Sequence, residues 1–446
     1  MKHNSAERFI VFVTPLLALA SAHADEWSQF RGPRGDGVVA ELTHPLSWSA
    51  NENLLWKTAL PGTGWSAPVV VGNRVFISTA SGGSLKQPKK MSEGVADPAS
   101  FGLGGRKPSN ALRFELHCLD LATGRILWSQ LIAEEEPKLA IHPSNTFATE
   151  TPAADAERVC VAFGTIGKLA AFSHEGKELW RFEYEPGKVD QGFGTGSSLA
   201  LFEDRLFLQN DNEKQSTLTA LRLSNGEKIW AVTRDCDSSW ATPLVWRNSK
   251  RVEVVACGGG KVMSYDPKDG AMLWEMGGID SAFSASAASN ADYLVFANSG
   301  PFSQNFMYAI RPGAAGDITL KAKETSNEGV AWRVGKPGVG MCSPLIFDGL
   351  IYAPAEGKLK TFDVATGAEV YRQRLPEAEL FVSSAWAGAG HVLMLDEAGR
   401  TYVLQAGREF KLLNTNRIED TFWATPAIAG AKLLLRGVNG LYCIGK

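Results

Sequence analysis

Trp65, Trp240 and Trp423 each stand just ahead of an apolar run, in "GWSAPVVV", "SWATPLVW" and "FWATPAIA". Phe147, Phe193, Phe283, Met341 and Phe381 hold comparable places ahead of other such runs. Asn145, Glu150, Arg234, Asp235, Asp237 and Asp420 lie nearby, and Asn210, Asp211, Glu356 and Asp396 fall in connecting turns. Aromatic faces beside carboxylates and an arginine suit a sugar, a quinone or an extended peptide, because the ring covers an apolar face while polar groups fix orientation. These residues define a candidate ligand-binding mouth of Trp65, Asn145, Glu150, Asp211, Arg234, Asp235, Trp240 and Trp423. The plainer alternative, which the sequence favours, is that the aromatics plug a channel and pack neighbouring loops.

Independent catalytic signatures are missing. His44, His117, His142, His174 and His391 show no metal-ligand spacing, and neither H-E-x-x-H nor G-x-S-x-G occurs. "GTIGKLA" lacks the phosphate-loop spacing, and the glycines of "GFGTGSS" read as close backbone approach at a strand start. No catalytic residue and no metal ligand is assigned.

The positions of these groups depend on a repeat. In "LDLATGRILW", "HEGKELW", "SNGEKIW", "PKDGAMLW" and "ATGAEVY" an aromatic follows a turn glycine at a fixed distance, giving Trp128, Trp180, Trp230, Trp274 and Tyr371. Trp332 ends a looser copy, and another near Phe410 is degenerate. Upstream of each turn lie two alternating strands, the first often opening on a small residue and proline, as at Pro68, Pro152, Pro243, Pro344 and Pro426. Equivalent starts without proline fall at Leu199, Ala287 and Ala385, so there are eight units, each reading as four short strands. The eighth runs out at Lys446 before its last strand, and "ENLLWKTAL" with Trp56 supplies the missing piece. The expected fold is an all-β, eight-bladed propeller of four-stranded antiparallel blades, the last closed by an N-terminal strand. In such a ring Trp56, Trp128, Trp180, Trp230, Trp274, Trp332 and Tyr371 are structural docking residues. Each packs a blade against its neighbour.

The bulk numbers fit. The 446 residues carry 45 Gly, 13 Trp and a formal charge of −3, without the concentrated basic face that nucleic acid requires. No apolar run is long enough to span a bilayer. Residues 1–24 have the layout of a secretory signal: Lys2 and Arg8, an apolar stretch, then Ala22-His23-Ala24. Pro15 speaks against the alternative of a buried helix. Cleavage after Ala24 would leave residues 25–446 as one domain, periplasmic or extracellular, with no cysteine at the cut to carry a lipid anchor. Cys118, Cys160, Cys257 and Cys443 sit in apolar strand-like runs and Cys236 and Cys342 in loops, with no spacing that makes a disulfide framework. An insertion over 81–113 carries Lys86, Lys89, Lys90, Arg106, Lys107 and Arg113 against Glu93 and Asp97. It is expected near the mouth as a basic loop, a partner-contact arm or a solvated loop without a role.

The turns resemble the tryptophan-docking motif of pyrroloquinoline-quinone (PQQ) repeat propellers. "HPSNTFATETP", "FGTGSS", "RDCDSSWATP" and "MCSPLIFDGLIY" are similar above all to the PQQ-like propellers of planctomycete-type bacteria. The resemblance implies an exported protein related both to BamB-type assembly propellers and to quinoprotein alcohol dehydrogenases. The dehydrogenases hold PQQ with calcium, beside a carboxylate base and under a disulfide of adjacent cysteines; this chain has no adjacent cysteines and no haem signature. The BamB-type proteins are lipoproteins, and their lipid-bearing cysteine is also missing. A monomeric binding or scaffolding module without cofactor is the reading taken, with a protein, carbohydrate or small molecule at the mouth. A divergent PQQ- and calcium-dependent alcohol or sugar dehydrogenase is the alternative.

Overall fold

The computed structural model describes residues 26–83, 85–88, 90, 107–280, 282–297 and 305–446. The secretory signal expected over 1–24 and most of the basic insertion fall outside the described residues. Eight separate sheets form, and the short innermost strands of neighbouring blades touch around a ring. Blade 1 comprises Val69–Val71, Arg74–Ser81, Leu112–Asp120 and Ile126–Glu135, from innermost to outermost. Blades 2, 3 and 4 begin at Ala153–Ala154, Ala200–Phe202 and Leu244–Arg247; blades 5, 6 and 7 begin at Ala288–Ser289, Leu345–Phe347 and Trp386–Gly388. The second and third strands are buried on both faces because each blade lies between two others. Runs such as "RVCVAF" and "KLLLRG" are therefore almost continuously apolar or small.

Blade 8 closes as expected. Its first three strands, Ala427–Ala429, Lys432–Gly437 and Gly440–Ile444, come from the end of the chain, and its outermost strand is Leu54–Thr58. The pairing is antiparallel, with Thr58 opposite Leu441 and Leu54 opposite Ile444. The ring thus closes through this pairing.

The docking residues form a relay from blade to blade. Nε1 of Trp56, Trp128, Trp180, Trp230 and Trp332 donates to the carbonyls of Leu121, His174, Leu223, Pro267 and Val364, each in the turn of the next blade, at 2.9–3.2 Å. The turn glycine is needed for two reasons. At Gly226 φ is +73°, and a Cβ there would lie 2.5 Å from the Trp180 ring. Trp274 departs from the pattern. The excursion after Arg311 lays Gly316–Asp317 alongside Met272–Met276 as a parallel fifth strand, and Trp274 instead donates to the buried Glu253 of its own blade at 2.7 Å. Tyr371 meets Phe410 edge-on at 6.1 Å.

Two features have no counterpart in the repeat reading. Residues 27–39 fill the central channel. Trp27 exchanges two backbone hydrogen bonds with Val70, the Ser28 carbonyl accepts from Ala154, and Gln29 Oε1 accepts from Leu201. Arg31, fully buried, donates to the carbonyls of Ala287 at 3.1 Å and Pro344 at 2.7 Å, and Gly37 and Val39 bond Ala387. One segment thus touches the innermost strands, or the residue just ahead of them, in blades 1, 2, 3, 5, 6 and 7. It starts at the hairpin-turn face, where Glu26 lies beside Gly72, Asn73 and Ala156. The channel plug is therefore this segment, not the aromatics of the mouth.

The second is a ring of hydroxyls at the other end of the innermost strands. The amides of Ala67, Thr151, Ser198, Thr242, Ser286, Ser343 and Ser384 each donate to the hydroxyl of the corresponding residue in the next blade, at 2.9–3.4 Å. The series runs from blade 1 to Thr425 in blade 8 and stops there, because Ala67 has no hydroxyl to offer. Arg436 occupies that seam instead. Its guanidinium donates to the Ser66 carbonyl and hydroxyl and to the Ser78 carbonyl, at 2.5–2.8 Å.

Candidate functional site

The loops that lead into the innermost strands converge on one face of the ring, and they bring the predicted aromatics there in two groups. Trp65, buried, stacks on Trp423 with ring centroids 5.5 Å apart and planes 16° from parallel. Its Nε1 donates to the Ser144 carbonyl at 2.8 Å, and Trp423 Nε1 reaches Glu397 Oε2 at 3.3 Å. Trp240 leans against Phe193 at 6.1 Å and donates to the Gly194 carbonyl at 2.7 Å, while His142 meets the other side of Phe193 edge-on. Trp240 and Trp423 are only partly covered, so each offers ring surface to solvent while its indole N–H is held. A ring anchored at its polar end has little rotamer freedom left to lose on binding.

The polar residues take different places. Asn145 is spent on loop structure: Nδ2 donates to the Phe193 and Thr195 carbonyls, and Oδ1 accepts from Thr149 Oγ1 at 2.6 Å. Glu150 is enclosed, accepting from the Thr195 hydroxyl and from Gly164 N at 3.1 Å, and burial pushes its carboxyl above the usual range. Asp211 and Arg234 form an ion pair with no exposed side-chain surface, Nη1 to the carboxylate oxygens at 2.5 Å and Nη2 to the Ala256 carbonyl at 2.9 Å. Burial opposes the charge on Arg234, and the Asp211 carboxylate beside it keeps the guanidinium protonated. Asp235, next in sequence, points the other way, is exposed, and pairs with Lys261 at 2.8 Å. The eight predicted mouth residues therefore divide. Trp65, Trp240 and Trp423 form the aromatic rim, Asn145 and Glu150 brace its loops, Asp211 and Arg234 lie sealed between strands, and Asp235 stands apart on the surface. Asp396 and Asp420 cap turns, Asp396 accepting from Arg400 N and Ala398 N, and Asp420 from the Tyr442 hydroxyl and Asn439.

Sequence reasoning missed Arg436 at the seam between blades 8 and 1. It lies within an apolar strand, and the signal that could have found it is a lone charge where the other blades carry uncharged residues such as Ser78, Gln209 and Leu395. With Trp65, Gln87, Pro88 and Gly437 it lines a cavity of about 10 Å³, room for one water. The described parts of the basic insertion reach this face: Lys90 Nζ lies 3.2 Å from Glu379, in the loop that leads to blade 7. A wider crevice of about 420 Å³ lies on the opposite face, lined by Glu26, Arg74, Asp120 and His174 among others. Among the described residues, no three His, Cys, Asp or Glu side chains are grouped to hold a metal ion, and all six cysteines are free thiols. No described helix is long and apolar enough to cross a membrane.

Residues 113–311 match the sequence model of the family described as outer membrane protein assembly factor BamB. No curated protein matches the chain. Among solved structures, BamB from Moraxella catarrhalis superimposes with a TM-score of 0.55 at 10% identity, covering 87% of this chain and 98% of that one. The quinohemoprotein alcohol dehydrogenase from Comamonas testosteroni gives 0.61 at 11% identity, over 95% of this chain and 81% of that one. Saccharomyces cerevisiae Sqt1 gives 0.51 at 10% identity, over 77% and 94%. Likeness at these identities is likeness of fold. The matched residues 113–311 lie inside an eight-bladed propeller that extends beyond them on both sides.

Proposed function

We propose that the protein is an exported binding or scaffolding propeller, and that a protein segment, carbohydrate or other small ligand seats on the aromatic face of the mouth. The observation that carries the reading is the pair of part-exposed indoles, Trp240 and Trp423, each anchored through Nε1. Residues 27–39 close the channel behind them, so a ligand rests on this face and does not thread the ring. Lys90, paired with Glu379, sets the described part of the basic insertion beside this face. The family match over 113–311 supports a protein ligand, since its description is of an assembly factor.

The dehydrogenase alternative needs PQQ held by calcium. The carboxylates predicted for the mouth do not fit that group: Glu150 is engaged by Thr195 and Gly164, Asp211 is sealed against Arg234, and no adjacent cysteines exist to cover the quinone.

The test is recovery of the protein from its own host with mass-spectrometric and absorbance analysis of what comes with it, followed by titration of the recovered ligand into Trp240→Ala and Trp423→Ala. Loss of binding in both variants, with melting temperatures near the parent's, is expected. Undiminished binding in both would remove the mouth from consideration. Micromolar binding of PQQ with calcium, with alcohol-dependent dye reduction, would establish the alternative.

A further inference from the structure

Ser129 lies in the middle of Ile126–Glu135, the outermost strand of blade 1, directly opposite His117 on Leu112–Asp120. Its Oγ is 2.7 Å from His117 Nδ1, and His117 Nε2 is 2.8 Å from Thr79 Oγ1. Thr79 fixes the direction of the chain. Its single hydroxyl proton goes to the Pro61 carbonyl at 2.7 Å, so its oxygen must accept from His117, which places the ring proton on Nε2. Nδ1 is then a bare acceptor and Ser129 Oγ–H is its donor. Burial, reinforced by the positive charge of Arg436, holds the imidazole down at about 4. The ring is therefore neutral at neutral pH. A hydroxyl donating to a neutral imidazole whose far nitrogen is tied down has the arrangement of an activated serine, with a threonine oxygen in the orienting place.

Exposure distinguishes this serine. Ser144 also bonds an imidazole, that of His142, but is buried in a loop. Ser129 is exposed and stands on the same side of the strand as Leu127 and Leu131, which are 40% and 38% exposed. Ser129 is exposed among the described residues, so water reaches it and the arrangement suits a stable modification better than rapid turnover.

We propose that Ser129 is a nucleophilic hydroxyl that takes an acyl group from an activated ester or thioester of an apolar acid, whose chain lies along Leu127 and Leu131. Ser129 Oγ attacks the carbonyl carbon and the new C–O bond forms. Its proton passes to His117 Nδ1 and then to the departing alkoxide or thiolate as the old C–O or C–S bond breaks.

The experiment treats the purified full chain with p-nitrophenyl octanoate and, separately, with an alkyl fluorophosphonate. Attack on the latter forms an O–P bond and expels fluoride with the serine proton. Peptide mapping then gives the adduct rate at Ser129 and at Ser249, an exposed serine without an imidazole. Labelling of Ser129 at least about tenfold faster than Ser249 is expected, the lower end of assistance by a positioned base because burial holds the His117 imidazole at about 4. Ser129→Ala should remove the adduct, and Thr79→Val should slow it at least about tenfold by freeing the tautomer. Equal rates at the two serines, or an unchanged rate in a folded Thr79→Val variant, would overturn the proposal. If Thr79→Val does not fold, the ratio of the two serines in the parent protein decides.

Discussion

Trp230 in blade 3 donates its indole N–H to the Pro267 carbonyl in blade 4 at 3.2 Å, and Gly270 of the same turn lies under its ring. Trp240, a little further along the chain, holds a loop at the mouth through Gly194. Alanine at Trp230 opens a void between two blades and should cost roughly 3–5 kcal/mol. Alanine at Trp240 should cost less than about 2 kcal/mol, since that ring is already partly solvated. Urea unfolding of the two variants distinguishes them; equal losses would mean that the mouth aromatic is packing glue as well.

Arg31 joins blades 5 and 6 through the Ala287 and Pro344 carbonyls. Arg31→Ala would orphan both acceptors, at about 1–3 kcal/mol each. A drop of a few kcal/mol in unfolding free energy is expected. A midpoint within error of the parent's would show the channel segment to be passenger rather than fastener.

Thr242→Val keeps shape and removes the acceptor for Ser198 N, now 3.0 Å away. A buried amide left without a partner should cost about 1–3 kcal/mol. Ala67→Ser, by contrast, offers the one hydroxyl the ring lacks, and a gain of about 1 kcal/mol is the expected outcome. Calorimetric melts read both. Destabilisation by the serine would show that Arg436 leaves no room for it.

His117 gives stability a pH dependence. Its folded value of about 4 lies below the ordinary 6.5, so the unfolded chain takes up a proton first as pH falls. The contribution is complete above pH 6.5, declines between 6.5 and about 4, and amounts to about 3 kcal/mol in all. Glu150, Asp211 and Asp396 are raised by burial and act in the opposite sense, losing stability as pH rises through the carboxylate range. In His117→Gln the loss between pH 6.5 and 5 should shrink. An identical slope in parent and variant would assign the dependence elsewhere.

The ring was legible because Trp128, Trp180 and Trp230 recur with their glycines, and because the spare strand at Trp56 answers the missing one after Cys443. A repeat exposes whatever each blade needs separately. The channel segment was not legible for the same reason: residues 27–39 occur once, pair irregularly, and touch six blades by six different groups. Trp274 looked like its siblings, and only the course of the chain after Arg311 turns it toward Glu253. At the mouth, residue types picked out the aromatics that the entry loops bring to one face, but sequence does not reveal which charges are sealed in; Arg234 and Asp235 are neighbours in the chain with opposite fates. The hydroxyl ring had a signal, a Ser or Thr before seven of the eight strand starts, masked by the more conspicuous prolines.

Leu54–Thr58 pairs with Gly440–Ile444, which ties the order of synthesis to the order of assembly. Leu54–Thr58 is synthesised long before Gly440–Ile444 and must wait for it. Until Gly440–Ile444 emerges, seven blades can stand complete while the eighth presents an open edge able to recruit any extended chain. Closure then brings together two segments separated by nearly the full chain, a step slow by its topology. During that interval the partly made ring carries an unpaired edge at blade 8, the edge that Leu54–Thr58 later covers.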